Sequence, residues 1–132
     1  MQDFGARPVF FVADTPSAME FYTNGLGFTL DWTYEENGRP YVVQVSLFGV
    51  QIILNQKESP EDPRAGHGRI FIGLDDDQSA VMLRHVEDRG IAAEYTHWGE
   101  PTLAIYDLDR NEIFFWLSDA ERVKWREAHA GA

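Results

Sequence analysis

The spacing of apolar and polar positions changes several times along the chain, and each change marks a predicted element. Residues 7–13 (RPVFFVA) form a β-branched and aromatic run too short for a helix, which predicts a buried strand. Pro8 belongs at the start or on an edge of that strand, because it cannot donate to a ladder. Asp14-Thr15-Pro16 then predicts a helix start, with a carboxylate to cap free N–H groups and a proline in the first turn. Met19, Tyr22 and Leu26 give that helix one apolar face, and Gly25 and Gly27 end it. Residues 28–35, 41–47 and 50–55 read as three strands, the first two joined by Asn37-Gly38, a dipeptide that supplies the positive φ angles of a tight hairpin.

Residues 57–66 (KESPEDPRAG) carry two prolines and five charges and are the only linker-like stretch. After them the order restarts. Residues 69–74 predict a strand. Asp75-Asp76-Asp77 caps a helix whose face is traced by Ala80, Leu83 and Val86 and which Gly90 ends. Residues 91–96, 102–108 and 112–117 are three more strand-like runs, and Ser118-Asp119-Ala120-Glu121 resembles a capping box for a short final helix carrying Val123 and Trp125. The halves superimpose: residues 7–14 on 69–76, Gly27-Phe28 on Gly90-Ile91, and Gln51-Ile52-Ile53 on Glu112-Ile113-Phe114, at a nearly constant offset of about 62 residues. The expected organisation is one α+β domain (1–132) made of two βαβββ modules, 6–56 and 67–118, joined by linker 57–66 and followed by a C-terminal helix at 119–132. Neither module is large enough to bury a core alone, so they must pack on each other or on a partner chain.

Composition narrows what such a domain does. Of 132 residues, 44% are hydrophobic and 14% aromatic, enough for a core. No apolar run approaches the ~20 residues of a membrane span, and Met1-Gln2-Asp3 shows no secretory pattern. The absence of cysteine excludes disulfides, thiolate metal sites and cysteine nucleophiles, and fits a cytoplasmic protein. Twenty-two acidic against 11 basic residues give a net charge of −11, which disfavours nucleic acid and anionic membrane surfaces and reads first as a solubilising surface, with a cationic guest as the alternative.

Several local motifs then carry a resemblance. Pro8 to Asp14, Phe21-Tyr22 and Leu26-Gly27-Phe28 resemble the opening strand–helix signature of the vicinal oxygen chelate superfamily, which includes glyoxalase I, extradiol dioxygenases and the bleomycin-resistance proteins. Trp98-Gly99-Glu100 and Asp107 to Ile113 resemble its closing signature, with Leu108 and Arg110 in place of the usual Pro and Gly. The resemblance spans roughly residues 6–118. It implies a curved mixed sheet of two modules and, in the family's enzymes, a divalent metal held by side chains of the first and last strands of each module. By that resemblance the metal positions fall on Arg7, Ile53, Arg69 and Phe114, two guanidinium groups with no lone pair and two hydrocarbons. No metal or other cofactor is expected at them. A displaced site drawing on His67, His97 and Glu100 or Glu112 is the metal-dependent alternative; a metal-free enzyme using His67, His97 or Glu112 as base is a third. His85 in the second helix and His129 in the tail are read as facing solvent.

The bleomycin-resistance branch is closest, in its first-strand proline, its lack of metal ligands, its acidity and its length. It implies a homodimer, sometimes with an exchanged N-terminal strand, that sequesters a planar drug in an aromatic groove without transforming it. Carried over residue by residue, the groove positions are Trp32, Asn55, Phe71 and Trp98, with Asn55 on the face of Ile53 and Phe71 on the face of Arg69. The competing assignment for the three aromatics is the core between modules, where Trp116 is also placed; Trp125 is assigned to packing on the outer surface. Arg7 and Arg69 occupy mirrored positions and can meet an anionic group of a ligand, or pair with Glu112, Asp31 or a partner chain.

Overall fold

In the computed structural model, which describes residues 5–94 and 102–128, the elements follow the repeat. Strand β1 (Val9–Val12) leads into helix α1 (Thr15–Glu20), continued by a π-helical turn (Phe21–Gly25), then β2 (Thr29–Glu36), β3 (Arg39–Leu47) and β4 (Val50–Gln56). The second half has β5 (Arg69–Gly73), α2 (Asp76–Arg89), β6 (Thr102–Tyr106), β7 (Glu112–Trp116) and α3 (Asp119–Ala128). The sheets have orders β1-β4-β3-β2 and β5-β7-β6, with β1 parallel to β4 and β5 parallel to β7. The fold is therefore α+β, as the repeat predicts.

Local chemistry sets most boundaries. Asp14 caps α1 by accepting from Ser17 N at 3.0 Å, and Asp75 caps α2 in a reciprocal capping box with Gln78. Asn37 and Gly38 adopt φ of 54° and 73° in the β2–β3 hairpin. Pro8 lies just before β1, an edge strand, and its carbonyl accepts from Ile53 N at 3.0 Å.

Three expectations change. Residues 91–96 do not form a strand over their described part: Glu94 alone bridges to Ala104, and 95–101 lie outside the described residues. The buried stripe of α2 is centred on Ser79 and Met82, with Leu83 and Val86 at its margin, because α2 meets the first module as well as its own sheet. His85 is half-buried rather than fully solvent-facing. Its imidazole lies 3.4 Å from where a Cβ on Gly27 would sit, and burial is the leading cause that lowers its pKa.

Both modules share one core. Phe10, Val12, Tyr22 and Leu26 of the first pack with Ile72, Met82, Leu103, Ile113 and Phe115 of the second, all 3% exposed or less. A polar lock crosses the same junction. Buried Asp107 accepts from the Tyr22 hydroxyl at 2.9 Å, from the Asp109 and Asn111 amides at 2.8 and 2.9 Å, and from Asn111 Nδ2 at 2.9 Å. Burial, then the Asp107 charge, raises the Tyr22 phenol well above its usual range, so it remains a donor. Gly68 permits this closeness, since a Cβ there would stand 2.3 Å from the buried Phe10 ring. β1 pairs with its own chain's β4, from Val9 opposite Ile53 to Val12 opposite Gln56.

Candidate functional site

Each sheet buries one face against the core and turns the other away, and strand register determines which side chains reach the open face. On the first sheet, Val43, Val45, Ile52 and Leu54 are buried in the core. The alternate residues of those strands build the open face in rows. Val9, Ile53, Gln44 and Trp32 form one row, and Phe11, Asn55, Val42 and Tyr34 the next. Arg7 joins this face by donating from Nε to Gln51 Oε1 at 2.8 Å.

Trp32 is here because of a bulge. The β2–β3 register slips at Asp31, so Leu30 sits opposite core-facing Val45 while Trp32 sits opposite Gln44. Strict alternation would have placed Trp32 on Leu30's side. The bulge also turns Asp31 to the open face. Its carboxylate accepts from Gln44 Nε2 and from Ser46 Oγ, each at 2.9 Å. Trp32 is 43% exposed and Tyr34 is 53% exposed, an aromatic pair that the sequence reading recognised only in part.

The second sheet's corresponding face carries rows Arg69–Glu112–Tyr106 and Phe71–Phe114–Ala104. Arg69 donates from Nε to Glu112 Oε1 at 3.0 Å, and its guanidinium lies 5.0 Å from the Phe114 ring centroid. Glu112 also receives a hydrogen bond from Tyr106, the leading cause that raises that phenol's pKa. Phe71, 48% exposed, leans on Trp116 at 5.7 Å between ring centroids. The guanidinium of Arg122 in α3 lies 4.4 Å from the Trp116 ring centroid. Arg69, Ile70, Phe71 and Phe114 line a hollow of about 260 Å³.

Arg7, Trp32 and Asn55 thus share the open face of the first sheet, and Arg69 and Phe71 that of the second. Neither Trp32 nor Asn55 lines the hollow that holds Arg69 and Phe71. Asn55 donates to the Gln56 carbonyl at 2.9 Å. Trp98, His97 and Glu100 lie outside the described residues, as does His129. Trp116 is not a core residue but half-buried beside Phe71, and Tyr34 was not singled out at all, although the register runs regularly from Trp32 to Tyr34 and simple alternation puts the two on one face. Of the ion pairs anticipated for the two arginines, Arg69–Glu112 is present; Arg7 donates to Gln51, and Asp31 accepts from Gln44 and Ser46.

The four positions at which a metal would sit do not fit one. Arg7 and Arg69 carry guanidinium groups, and Ile53 and Phe114 have no donor atom. The nearest carboxylate, Glu112, is committed to Arg69 and Tyr106. His67 is exposed, ahead of β5, and among the described residues no three His, Asp or Glu side chains gather as a metal site.

Comparison with known proteins places this geometry. The bleomycin-binding protein from bleomycin-producing Streptomyces verticillus, solved with copper(II)-bleomycin, matches with a TM-score of 0.64 at 16% identity, over 90% of this chain and 99% of that one. A bleomycin resistance determinant encoded on transposon Tn5 gives 0.64 at 20% identity, over 89% and 99%. Lactoylglutathione lyase from Agrobacterium tumefaciens gives 0.60 at 17% identity, over 87% and 94%. A search of curated protein sequences finds no match. No helix among the described residues is long and apolar enough to cross a membrane. The family model described as Glyoxalase/Bleomycin resistance protein/Dioxygenase superfamily matches residues 6–117, and the chain belongs to that superfamily.

Proposed function

We propose that this protein binds and sequesters a small planar molecule, an antibiotic being one such guest, on the open faces of its two sheets, without transforming it. The observation that carries the reading is the pairing of exposed aromatic surface with a failed metal site. Trp32, Tyr34 and Phe71 offer ring faces on strands whose backbones are fixed by ladders. The positions that would hold a catalytic metal carry guanidinium and hydrocarbon instead. Stacking on such rings contributes about 0.5–1.5 kcal/mol per contact beyond area burial, and requires no chemistry from the protein. Neighbours titled bleomycin-binding protein and bleomycin resistance determinant support a binding role.

The working form is a homodimer. β2 is an edge strand with all eight residues exposed, and Leu30, Trp32 and Tyr34 lie along it. An uncovered apolar edge of this kind favours a partner, and a second copy would deepen the groove around the ligand.

Tryptophan fluorescence tests the reading. Titration with a panel of planar cationic, neutral and anionic compounds should give saturable quenching that Trp32→Ala removes and Phe71→Ala weakens. Absence of quenching across the panel, or quenching indifferent to both substitutions, would reject it. Sedimentation velocity tests the dimer: a single species of about 15 kDa at micromolar concentration would overturn it.

A further inference from the structure

The open face of the first sheet carries an unmet acceptor. Gln44 is 4% exposed, and among the described residues its Oε1 is buried with no hydrogen-bond partner. The assignment of oxygen and nitrogen is fixed chemically. Nε2 lies 2.9 Å from Asp31 Oδ2, and exchanging the two atoms would set a carbonyl oxygen against a carboxylate. Gln44 is not a core residue. Its strand neighbours Val43 and Val45 face the core, so it faces the other way, directly opposite Trp32 in the register. A buried carbonyl left without a donor is costly, and a group of this kind discriminates strongly for a ligand that supplies one.

We propose that Gln44 is a specificity-determining residue that accepts an N–H from a ligand stacked on Trp32. The inference rests on the binding function proposed above and narrows its ligand class. Asp31, brought to the same face by the bulge and oriented by Gln44 and Ser46, adds a carboxylate beside the Gln44 carbonyl. This end of the face therefore carries acceptor groups, the Gln44 carbonyl buried and the Asp31 carboxylate exposed. The guest it fits is a planar aromatic with an amino or amidine edge, and Asp31 favours a cationic one. The Arg69 end, where a guanidinium borders the hollow, accommodates the ligand's acceptor or anionic groups.

Two acridine dyes separate this proposal from general stacking. Proflavine carries two free amino groups; acridine orange carries the same groups fully methylated, with the planar cationic ring retained. Affinities for both are measured by fluorescence anisotropy near 0.15 M salt, for the wild type and for Gln44→Leu. Gln44→Leu should weaken proflavine roughly tenfold, the usual scale for one directed hydrogen bond, while acridine orange changes less than about twofold. Gln44→Met, with a similar unbranched shape, should give the same split and guards against a packing defect in the leucine variant. Thermal melts without dye should show each variant folded with one cooperative transition, because removal of an unpaired buried acceptor offsets loss of the Nε2 hydrogen bond to the exposed Asp31. If both dyes bind and both respond equally, or neither responds, the groove stands and the role of Gln44 falls. If neither dye binds the wild type, this proposal falls together with the binding function on which it rests.

Discussion

The two sheets are copies of one plan, yet their open faces are finished differently. On the first, Trp32 and Tyr34 stand about half exposed over a floor of Val9, Ile53 and a buried glutamine. On the second, Phe71 and Arg69 remain exposed but the rest of the equivalent rows is closed. Phe114 is 2% exposed, Ala104 and Thr102 are fully buried, and Arg69 lies across Phe114 with its charge held by Glu112. One face presents most of its surface, and the other covers all but Phe71 and Arg69. The difference teaches that an internal repeat specifies the scaffold, while function is placed where the copies diverge, here at the Asp31 bulge and at the Arg69–Glu112 pair.

Truncations should separate the two faces. Phe114→Ala, in the closed face, should cost about 3–4 kcal/mol in urea unfolding, the usual scale for a buried phenylalanine. Loss of less than about 1 kcal/mol would mean that this face is as open as the first. Glu112→Gln should cost about 1 kcal/mol, because it weakens a charge-assisted hydrogen bond to an arginine that stays well hydrated. It should also lower the Tyr106 titration toward the ordinary phenol range, followed by ultraviolet difference spectra against Tyr106→Phe.

A pH effect belongs to neither open face, and so tests whether stability resides at the junction. Burial lowers the folded-state pKa of His85 against Gly27, and the positive charges of Arg89 and Arg84 add to this while Asp88 opposes it. Between the folded and unfolded values the unfolded chain binds the extra proton. The contribution of His85 is therefore present above the unfolded value near 6.5 and is lost as pH falls below it. The melting temperature should decline from pH 7.5 to 5.5, with a smaller decline in His85→Gln; identical profiles would remove His85 from the account. Smallest of all, Trp32→Ala should leave stability within about 0.5 kcal/mol, as for an exposed position away from the core. A large loss would show that Trp32 is structural.

Much of the fold was legible because its signals are local or repeated. Asp14 and Asp75 cap helices through side chains three residues from their partners, and Asn37-Gly38 forms its hairpin from its own backbone preference. The offset between the halves made the second module readable from the first. Features set by distant packing were less legible. His85 looked like a surface residue of α2 because nothing nearby in sequence marks Gly27, 58 positions earlier, as its neighbour. Residues 91–94 have strand composition but pair only at Glu94. In the candidate site, Asn55, Phe71 and Arg69 came from the family resemblance, and alternation placed Asn55 on the face of Ile53 and Phe71 on that of Arg69. Trp32 shares the face of Gln44 only through a bulge that alternation cannot express. Gln44 carried no sequence signal, because an unpaired buried oxygen is visible only after folding.

The most direct test of the account is chemical-shift mapping of the isotope-labelled protein with proflavine as it binds. The account predicts perturbations concentrated at Trp32, Gln44 and Asn55 on the first sheet and at Arg69 and Phe71 on the second, with the dye recovered unchanged. Perturbations centred elsewhere, such as the hollow between Phe21 and Leu108 beside α1, or conversion of the dye to a product, would contradict it.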